Sequence, residues 1–273
     1  MGEEMKPINL AVVGASGRMG RQIVAAIEHA TDFKLVAALG RANSAAEGVD
    51  SGILAGCGEN GIKVSADFAV LDNADIVIDF ALPETLTERL ETYKNYGVAA
   101  VICTTGFDDE TAANMRAVAA QLPILYAANT SVGINLLAAL TENASRVLGS
   151  DADIEILEAH HTKKKDAPSG TALLLGESAA RGRGKNLDEV AAYDRNGVDQ
   201  VHKAGSIGFA SIRAGDIVGE HTVYLVVAGE RIELTHRVAN RSTFADGALR
   251  AAAWLAKQKN AGFYAMKDML GLD

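Results

Sequence analysis

Fifteen residues carry most of the chemistry in this sequence: Glu158-Ala-His-His-Thr-Lys-Lys-Lys-Asp-Ala-Pro-Ser-Gly-Thr-Ala172. The adjacent histidines, His160 and His161, are of the one side-chain type that ordinarily titrates near neutral pH. Lys163, Lys164 and Lys165 can attract an anion or act as acids. Ser169, Gly170 and Thr171 match a helix start, where unpaired backbone amides favour negative charge. Ile154 to Leu157 reads as the end of a strand, and Ala172 to Ala180 as the helix that follows. A polar segment between strand and helix is where an α/β scaffold places ligand chemistry. A solvated loop would explain the three lysines, but not a histidine pair followed by a Pro-Ser-Gly-Thr helix start. The functional reading is therefore preferred, and the stretch needs a partner elsewhere in the chain.

The first half offers that partner. Ile8 to Val13 is a short apolar run that reads as a buried strand. Gly14, Ala15, Ser16, Gly17, Arg18, Met19 and Gly20 follow, and then helical spacing of Ile23, Val24 and Ile27 over Arg21 to Ala30. Strand, glycine turn and helix in that order suit a dinucleotide, because glycines let the backbone approach a pyrophosphate. The spacing is G-x-x-G-x-x-G rather than G-x-G-x-x-G, so alone it would also serve simple helix–strand packing. A second strand, Lys34 to Leu39, ends in Gly40-Arg41, about where such folds read the ribose. An acidic residue there would bind a 2′-hydroxyl. A glycine and an arginine there, with Arg18 inside the glycine turn, favour the 2′-phosphate of NADPH and leave NADH use open.

Further strands are expected at Ala74 to Phe80, Gly97 to Cys103 and Leu122 to Ala127, with helices at Glu84 to Asn95 and Glu110 to Gln121. This alternation predicts a doubly wound parallel sheet, Rossmann-like, with its ligand at the carboxyl ends of the strands. Phe80, Cys103, Thr104, Thr105, Ala127, Ala128, Asn129 and Thr130 fall at or beside those ends and complete the candidate cofactor cleft. Cys103 reads as a small buried residue rather than a nucleophile, and Cys57 has no assigned role.

In the second half, Val132 to Leu148 is a helix between domains, and Asp153 to Glu158 a strand. Arg181 to Asn186 is a break, Tyr193 to Val201 an irregular stretch, and Gly215 to His221 a loop. From Ile207 the apolar period becomes two, with a hairpin at Ala228-Gly229-Glu230. The result is an α+β domain on a mixed, open sheet, a natural oligomer contact. Ser242 to Gln258 is a helix expected to pack back on the nucleotide domain. The domains are therefore 1–130 with 240–273 for the dinucleotide, and 131–239 for substrate and oligomerisation.

Composition limits the partners. A net charge of −9 argues against nucleic acid and anionic membranes. The charge divides as 9 basic against 17 acidic residues over 1–130, and 17 against 18 over 131–273. The second half is thus relatively basic, which fits a small anion rather than a polyanion. Two cysteines do not make a disulfide framework, and the acidic start Met1 to Pro7 lacks a leader's apolar stretch, so a cytoplasmic setting is expected. His29 lies near a helix end; His202, His221 and His236 lack ligand spacing and receive no role, and no metal is expected.

Taken together, Gly14-x-x-Gly-Arg-Met-Gly20, Thr104-Thr-Gly106, Ala128-Asn129, the Glu158–Ala172 stretch and Arg213-x-Gly-x-x-x-Gly-Glu-His221 resemble the dihydrodipicolinate reductase family along essentially the whole chain. The His-His-x-x-Lys-x-Asp-x-Pro-Ser-Gly-Thr motif is the specific part. The resemblance implies hydride transfer from NADPH or NADH to a cyclic dicarboxylate imine in lysine and diaminopimelate synthesis, by a cytoplasmic homotetramer joined through the C-terminal domain sheet. It implies His160 as proton donor, Lys164 as a second acid, and His161, Ser169, Gly170 and Thr171 as substrate ligands. Gly40 departs from the acidic residue many members carry. Another two-domain oxidoreductase, such as an aspartate or homoserine dehydrogenase, would lack the histidine motif. A non-catalytic NAD(P)-sensing protein would need a DNA-binding or partner segment, and the sequence shows no basic recognition helix.

Overall fold

A computed structural model describes residues 6–197 and 201–272. Most of the acidic start, Met1 to Pro7, lies outside these residues, as do positions 198–200 of the stretch expected to be irregular.

In chain order the elements begin with β1 (Ile8–Val13), α1 (Arg18–Glu28), β2 (Phe33–Leu39), α2 (Ser51–Ala55), β3 (Val64–Ser65) and β4 (Ile76–Asp79). There follow α3 (Leu86–Tyr96), β5 (Ala99–Ile102), α4 (Asp109–Ala119), β6 (Pro123–Tyr126) and α5 (Val132–Leu148). Then come β7 (Asp153–His160), α6 (Gly170–Gly182), α7 (Leu187–Val190), β8 (Ala191–Ala192), β9 (Ile207–Arg213), β10 (Gly219–Val227) and β11 (Glu230–Val238). The chain closes with α8 (Ser242–Leu255), β12 (Gly262–Ala265) and α9 (Met266–Leu270). Two compact units result. One holds the described residues up to Ser131 together with Ser242–Gly271, the other Val132–Arg241.

The first unit is built on a parallel sheet in the order β12-β6-β5-β4-β1-β2-β3. The central strands are short and predominantly apolar, as strands covered on both faces are. Leu10, Val12, Ile76, Ile78 and Ile124 are fully buried. Strand order reverses between β1 and β4, the switch point at which an open α/β sheet leaves a crevice. Helix α8 packs against α1 and against β4, β5 and β6, as expected of the returning helix.

Three features differ from the expectations. Helix α1 begins at Arg18, inside the glycine motif, because Gly20 lets its first turn lie on the strand end: a Cβ there would sit 2.2 Å from the Gly14 carbonyl oxygen. The edge strands β3 and β12 were not anticipated. Each is only two to four residues long, and each pairs on only one side. Strand β7 continues through His160 and β10 begins at Gly219, so His160 and His221 stand on sheet rather than in loops.

The second unit is a mixed sheet in the order β11-β10-β7-β9-β8, with β7 parallel to β9 and antiparallel to β10. Side chains alternate along β7. Ile154 and Ile156 form one face, buried in a core with Ile134 and Leu137 of α5 and Leu175 and Ala179 of α6. Glu158 and His160 extend that same face. A strand whose apolar stripe ends in a carboxylate and an imidazole, both buried, requires partners for them at that end.

Candidate active site

Cross-strand register supplies most of those partners. Glu158 pairs with Ser211 on β9 and with His221 on β10, and His160 pairs with Arg213. Directly paired residues share a sheet face, so five polar groups meet at one end of an otherwise apolar surface. The N-terminus of α6 arrives at the same place, because Ser169 caps that helix by accepting from the Ala172 amide at 3.1 Å.

Glu158 is the hub, with 1% of its surface exposed. Its Oε1 lies 2.7 Å from Arg213 Nη2 and its Oε2 2.8 Å from Arg213 Nη1, a bidentate pair. Oε2 also lies 2.6 Å from His160 Nδ1, and Oε1 accepts from the Ser169 amide at 3.2 Å. Burial would raise this carboxyl, but hydrogen bonds from Arg213, Ser211 and His160 outweigh it and hold the group down at about 2. Glu158 is therefore ionised at any working pH. An ionised carboxylate accepts only, so His160 presents Nδ1–H to it and keeps Nε2 as the atom that takes and gives a proton. Burial lowers the pKa of His160 below the ordinary histidine value, while Glu158 opposes that shift.

The remaining residues singled out in the sequence divide by position. Lys164 is partly buried and pairs with Asp166 at 2.9 Å, whereas Lys163 and Lys165 are exposed. His161 is half-buried, and its Nδ1 is shielded with no partner among the described residues, so an external acceptor or donor suits it. Gly170, the first residue of α6, is exposed, and a Cβ placed on it would meet nothing within 4 Å. An anion can therefore approach the open end of this helix. Glu158, Arg213 and His221 received no role from the sequence. All three lay in the recognised motifs, but only sheet pairing brings Arg213, through His160, and His221 to Glu158.

In the other unit, Gly14 to Met19 form the turn from β1 into α1. Gly14 takes a φ of +80°, and a Cβ on it would press on the Phe80–Ala81 backbone at 3.0–3.1 Å. Gly17 caps α1 with no side chain, which leaves its first amides open to an anion. Phe80, Cys103 and Ala127 continue the register of the adjacent strand ends: their amides donate to Val13, Asp79 and Ile102 carbonyls at 2.8–3.0 Å. All the candidate cofactor residues therefore lie along the carboxyl edge of the sheet. Thr105 and Ala128 are exposed there. Some side chains are committed to the fold instead: Thr104 donates to the Ala81 carbonyl at 3.0 Å, Thr130 to the Phe244 carbonyl at 2.7 Å, and Asn129 accepts from the Ser131 amide at 2.9 Å. Cys103 is buried, and burial with the nearby Asp79 pushes its thiol well up, so it is no nucleophile. After β2, a side chain at Gly40 would place its Cβ 2.7 Å from Val64 Cγ1, while Arg41 is exposed. The Gly14 to Met19 turn fits a dinucleotide pyrophosphate, and a ribose-binding carboxylate at position 40 would require the Val64 side chain to shift.

Models of the two halves of one family match nearly the whole sequence: the dihydrodipicolinate reductase N-terminus over residues 8–130 and its C-terminus over residues 133–270. The chain belongs to the dihydrodipicolinate reductase family. A 4-hydroxy-tetrahydrodipicolinate reductase from Acinetobacter baumannii is 48% identical over 265 residues, which cover 97% of this chain and 96% of that one. Among solved structures, a dipicolinate-bound dihydrodipicolinate reductase from Paenisporosarcina sp. TG-14 matches with a TM-score of 0.73 at 22% identity, covering 95% of this chain and 97% of that one. A probable dehydrogenase from Thermotoga maritima shares the fold at a TM-score of 0.60 and 12% identity, over 96% and 92% of the two chains. Dihydrodipicolinate reductases are NAD(P)H-dependent oxidoreductases of lysine biosynthesis, and this chain is one of them. Among the described residues no helix is long and apolar enough to cross a membrane, and no histidine, cysteine and carboxylate group could hold a metal ion.

Proposed function

We propose that the chain reduces its cyclic dicarboxylate imine with His160 as proton donor, Lys164 as a second acid, and the start of α6 as carboxylate holder. NADPH is the preferred cofactor and NADH a possible one. The observation that carries this reading is the double use of Glu158. One buried carboxylate orients the imidazole of His160 and, through the Ser169 amide, the first turn of the helix that binds the anion.

When bound, the nicotinamide supplies a hydride. Its addition to a conjugated imine leaves an electron-rich ring atom that needs a proton, which His160 Nε2 can deliver. Lys164 adds positive charge close to the substrate, and His161 offers its Nδ1, which has no partner among the described residues. Gly170 and Thr171 hold a substrate carboxylate with backbone amides at the helix N-terminus, and Ser169 completes that turn. In the nucleotide unit, Gly14, Ala15, Ser16, Gly17, Arg18 and Met19 cradle the pyrophosphate, with Phe80, Cys103, Thr104, Thr105, Ala127, Ala128, Asn129 and Thr130 along the strand ends. The exposed edge strand β11, with Ile232 on its surface, is the face proposed for a homotetramer. The protein acts in the cytoplasm.

The decisive measurement is NADPH oxidation with freshly generated 4-hydroxy-tetrahydrodipicolinate. No consumption above the blank by folded protein would end the reductase reading. Cofactor choice has its own test. Arg41→Ala should weaken NADPH about tenfold, equivalent to about 1.4 kcal/mol, and NADH by less than about twofold, because only NADPH carries the phosphate that a guanidinium grips. Fluorescence titration with both cofactors reads this, and equal losses would mean that Arg41 does not recognise the 2′-phosphate.

A further inference from the structure

His221 is an unexplained buried group in this site. It stands on β10 with 4% of its surface exposed, its ring 5.1 Å from that of His160 and inclined at 73°. Its Nε2 lies 3.0 Å from Ser169 Oγ, and its Nδ1 is buried with no partner among the described residues. Burial, then the neighbouring His160, pushes its pKa down to about 3, so the ring is neutral whenever the enzyme works. A neutral imidazole carries one N–H. Were that hydrogen on Nδ1, a buried donor would be stranded, at the desolvation cost of an unmade hydrogen bond. On Nε2 it reaches Ser169.

We propose that His221 is a positioning residue that makes Ser169 an obligate hydrogen-bond donor to the substrate carboxylate. Ser169 Oγ already accepts from the Ala172 amide at 3.1 Å. Accepting also from His221 Nε2–H occupies both of its lone pairs. The hydroxyl hydrogen then has neither acceptor, and it turns to the ligand at the open end of α6. A carboxylate accepts hydrogen bonds and does not donate them, so a hydroxyl locked as donor selects for it and against an amide or alcohol group presenting a proton. His221 touches neither the substrate nor the reacting atoms; it acts through Ser169. The Ser169 amide, tied to Glu158 Oε1, fixes the same residue from the other side.

The inference rests on the reductase reading, and dipicolinate, an aromatic dicarboxylate, probes it without chemistry. His221→Phe keeps a ring against His160 and removes the donor. It should weaken dipicolinate roughly tenfold and raise KM for substrate by a similar factor, with a much smaller fall in kcat and no change in NADPH affinity. His221→Gln places an amide N–H near Nε2 and should restore most of the loss. Because the ring is neutral throughout, the loss should be the same at every pH tested. In a double-mutant cycle, His221→Phe added to Ser169→Ala should cost no more than about a further twofold. Should the phenylalanine variant fail to fold, His221→Asn, whose shorter amide falls short of Ser169, takes its place in the cycle. Additive losses, or a fall in kcat with dipicolinate affinity intact, overturn the proposal. Wild-type turnover with unchanged affinity in the variant sinks this inference alone. A wild type that binds NADPH yet neither turns over nor takes dipicolinate sinks the reductase reading as well.

Discussion

His160→Gln should lower kcat by about 10² to 10⁴, the range associated with a positioned general acid, while NADPH binds as before. Glutamine keeps the polarity of the site and can still donate to Glu158, so the buried carboxylate retains a partner. What it lacks is a proton it can release. A rise in KM with kcat unchanged would show that His160 only binds substrate and would remove it from the chemistry.

The pH dependence follows from the same geometry. The donor must be protonated, so activity falls as pH rises through the pKa of His160. Burial places that pKa below the ordinary histidine value, with Glu158 opposing and Lys164 and Arg213 adding to the depression. The profile of kcat/KM, which reports the free enzyme, should lose about tenfold per pH unit above that point. A substrate bearing two negative charges favours the imidazolium, so the falling limb of kcat should lie at higher pH than that of kcat/KM. His160→Gln should abolish the limb. If the limb persists in the variant, another acid delivers the proton, and Lys164 is the next to remove.

The site was legible in the sequence where it is local and opaque where it depends on pairing. His160, Lys164 and the Ser169-Gly170-Thr171 cap lie within a dozen or so positions of one another, and a strand–loop–helix pattern orders them without tertiary knowledge. The glycine turn was legible for the same reason, since Gly14, Gly17 and Gly20 answer to one short backbone path. Glu158 gave no such signal, because a carboxylate at a strand end is usually solvated. Its role comes from sheet register: β9 brings Ser211 and Arg213, and β10 brings His221, from distant positions in the chain. The loop expected at Gly215 to His221 illustrates the cost. Gly219 and Glu220 look like turn residues, yet they pair with Val238 and Arg237 across the hairpin. A Cβ at Gly219 would lie 3.2 Å from His160 Nε2, the proton-bearing atom, and would crowd it. Among the expected cofactor residues, Thr104 was located correctly by its strand end, but its hydroxyl serves a network that the sequence did not disclose.

That network carries the second large effect. Asp79, at the end of β4, is fully buried and faces Arg89 of α3, itself 4% exposed, at 2.7 Å. Tyr93 donates to the same carboxylate oxygen at 2.7 Å, and the Ala81 amide to the other at 2.9 Å. Arg89 also donates to Thr85 Oγ1 at 2.6 Å and to the Leu82 carbonyl at 3.0 Å. One ion pair thus ties the Phe80-to-Thr85 turn, and through Ala81 also Thr104, to the interior beneath the carboxyl edge of the sheet. Arg89→Met removes the countercharge and leaves a buried carboxylate with neutral donors only. Breaking a buried pair in this way costs about 3–5 kcal/mol, enough to lower Tm by roughly 10 °C, and it should weaken NADPH as the turn loosens. Replacing both charges, Asp79→Leu with Arg89→Met, should cost clearly less than the sum of the single losses, because no uncompensated charge remains. Calorimetry of the four proteins tests this directly. Additive losses, or an Arg89→Met variant within about 1 kcal/mol of wild type, would show that the pair is an incidental contact rather than the support of the turn.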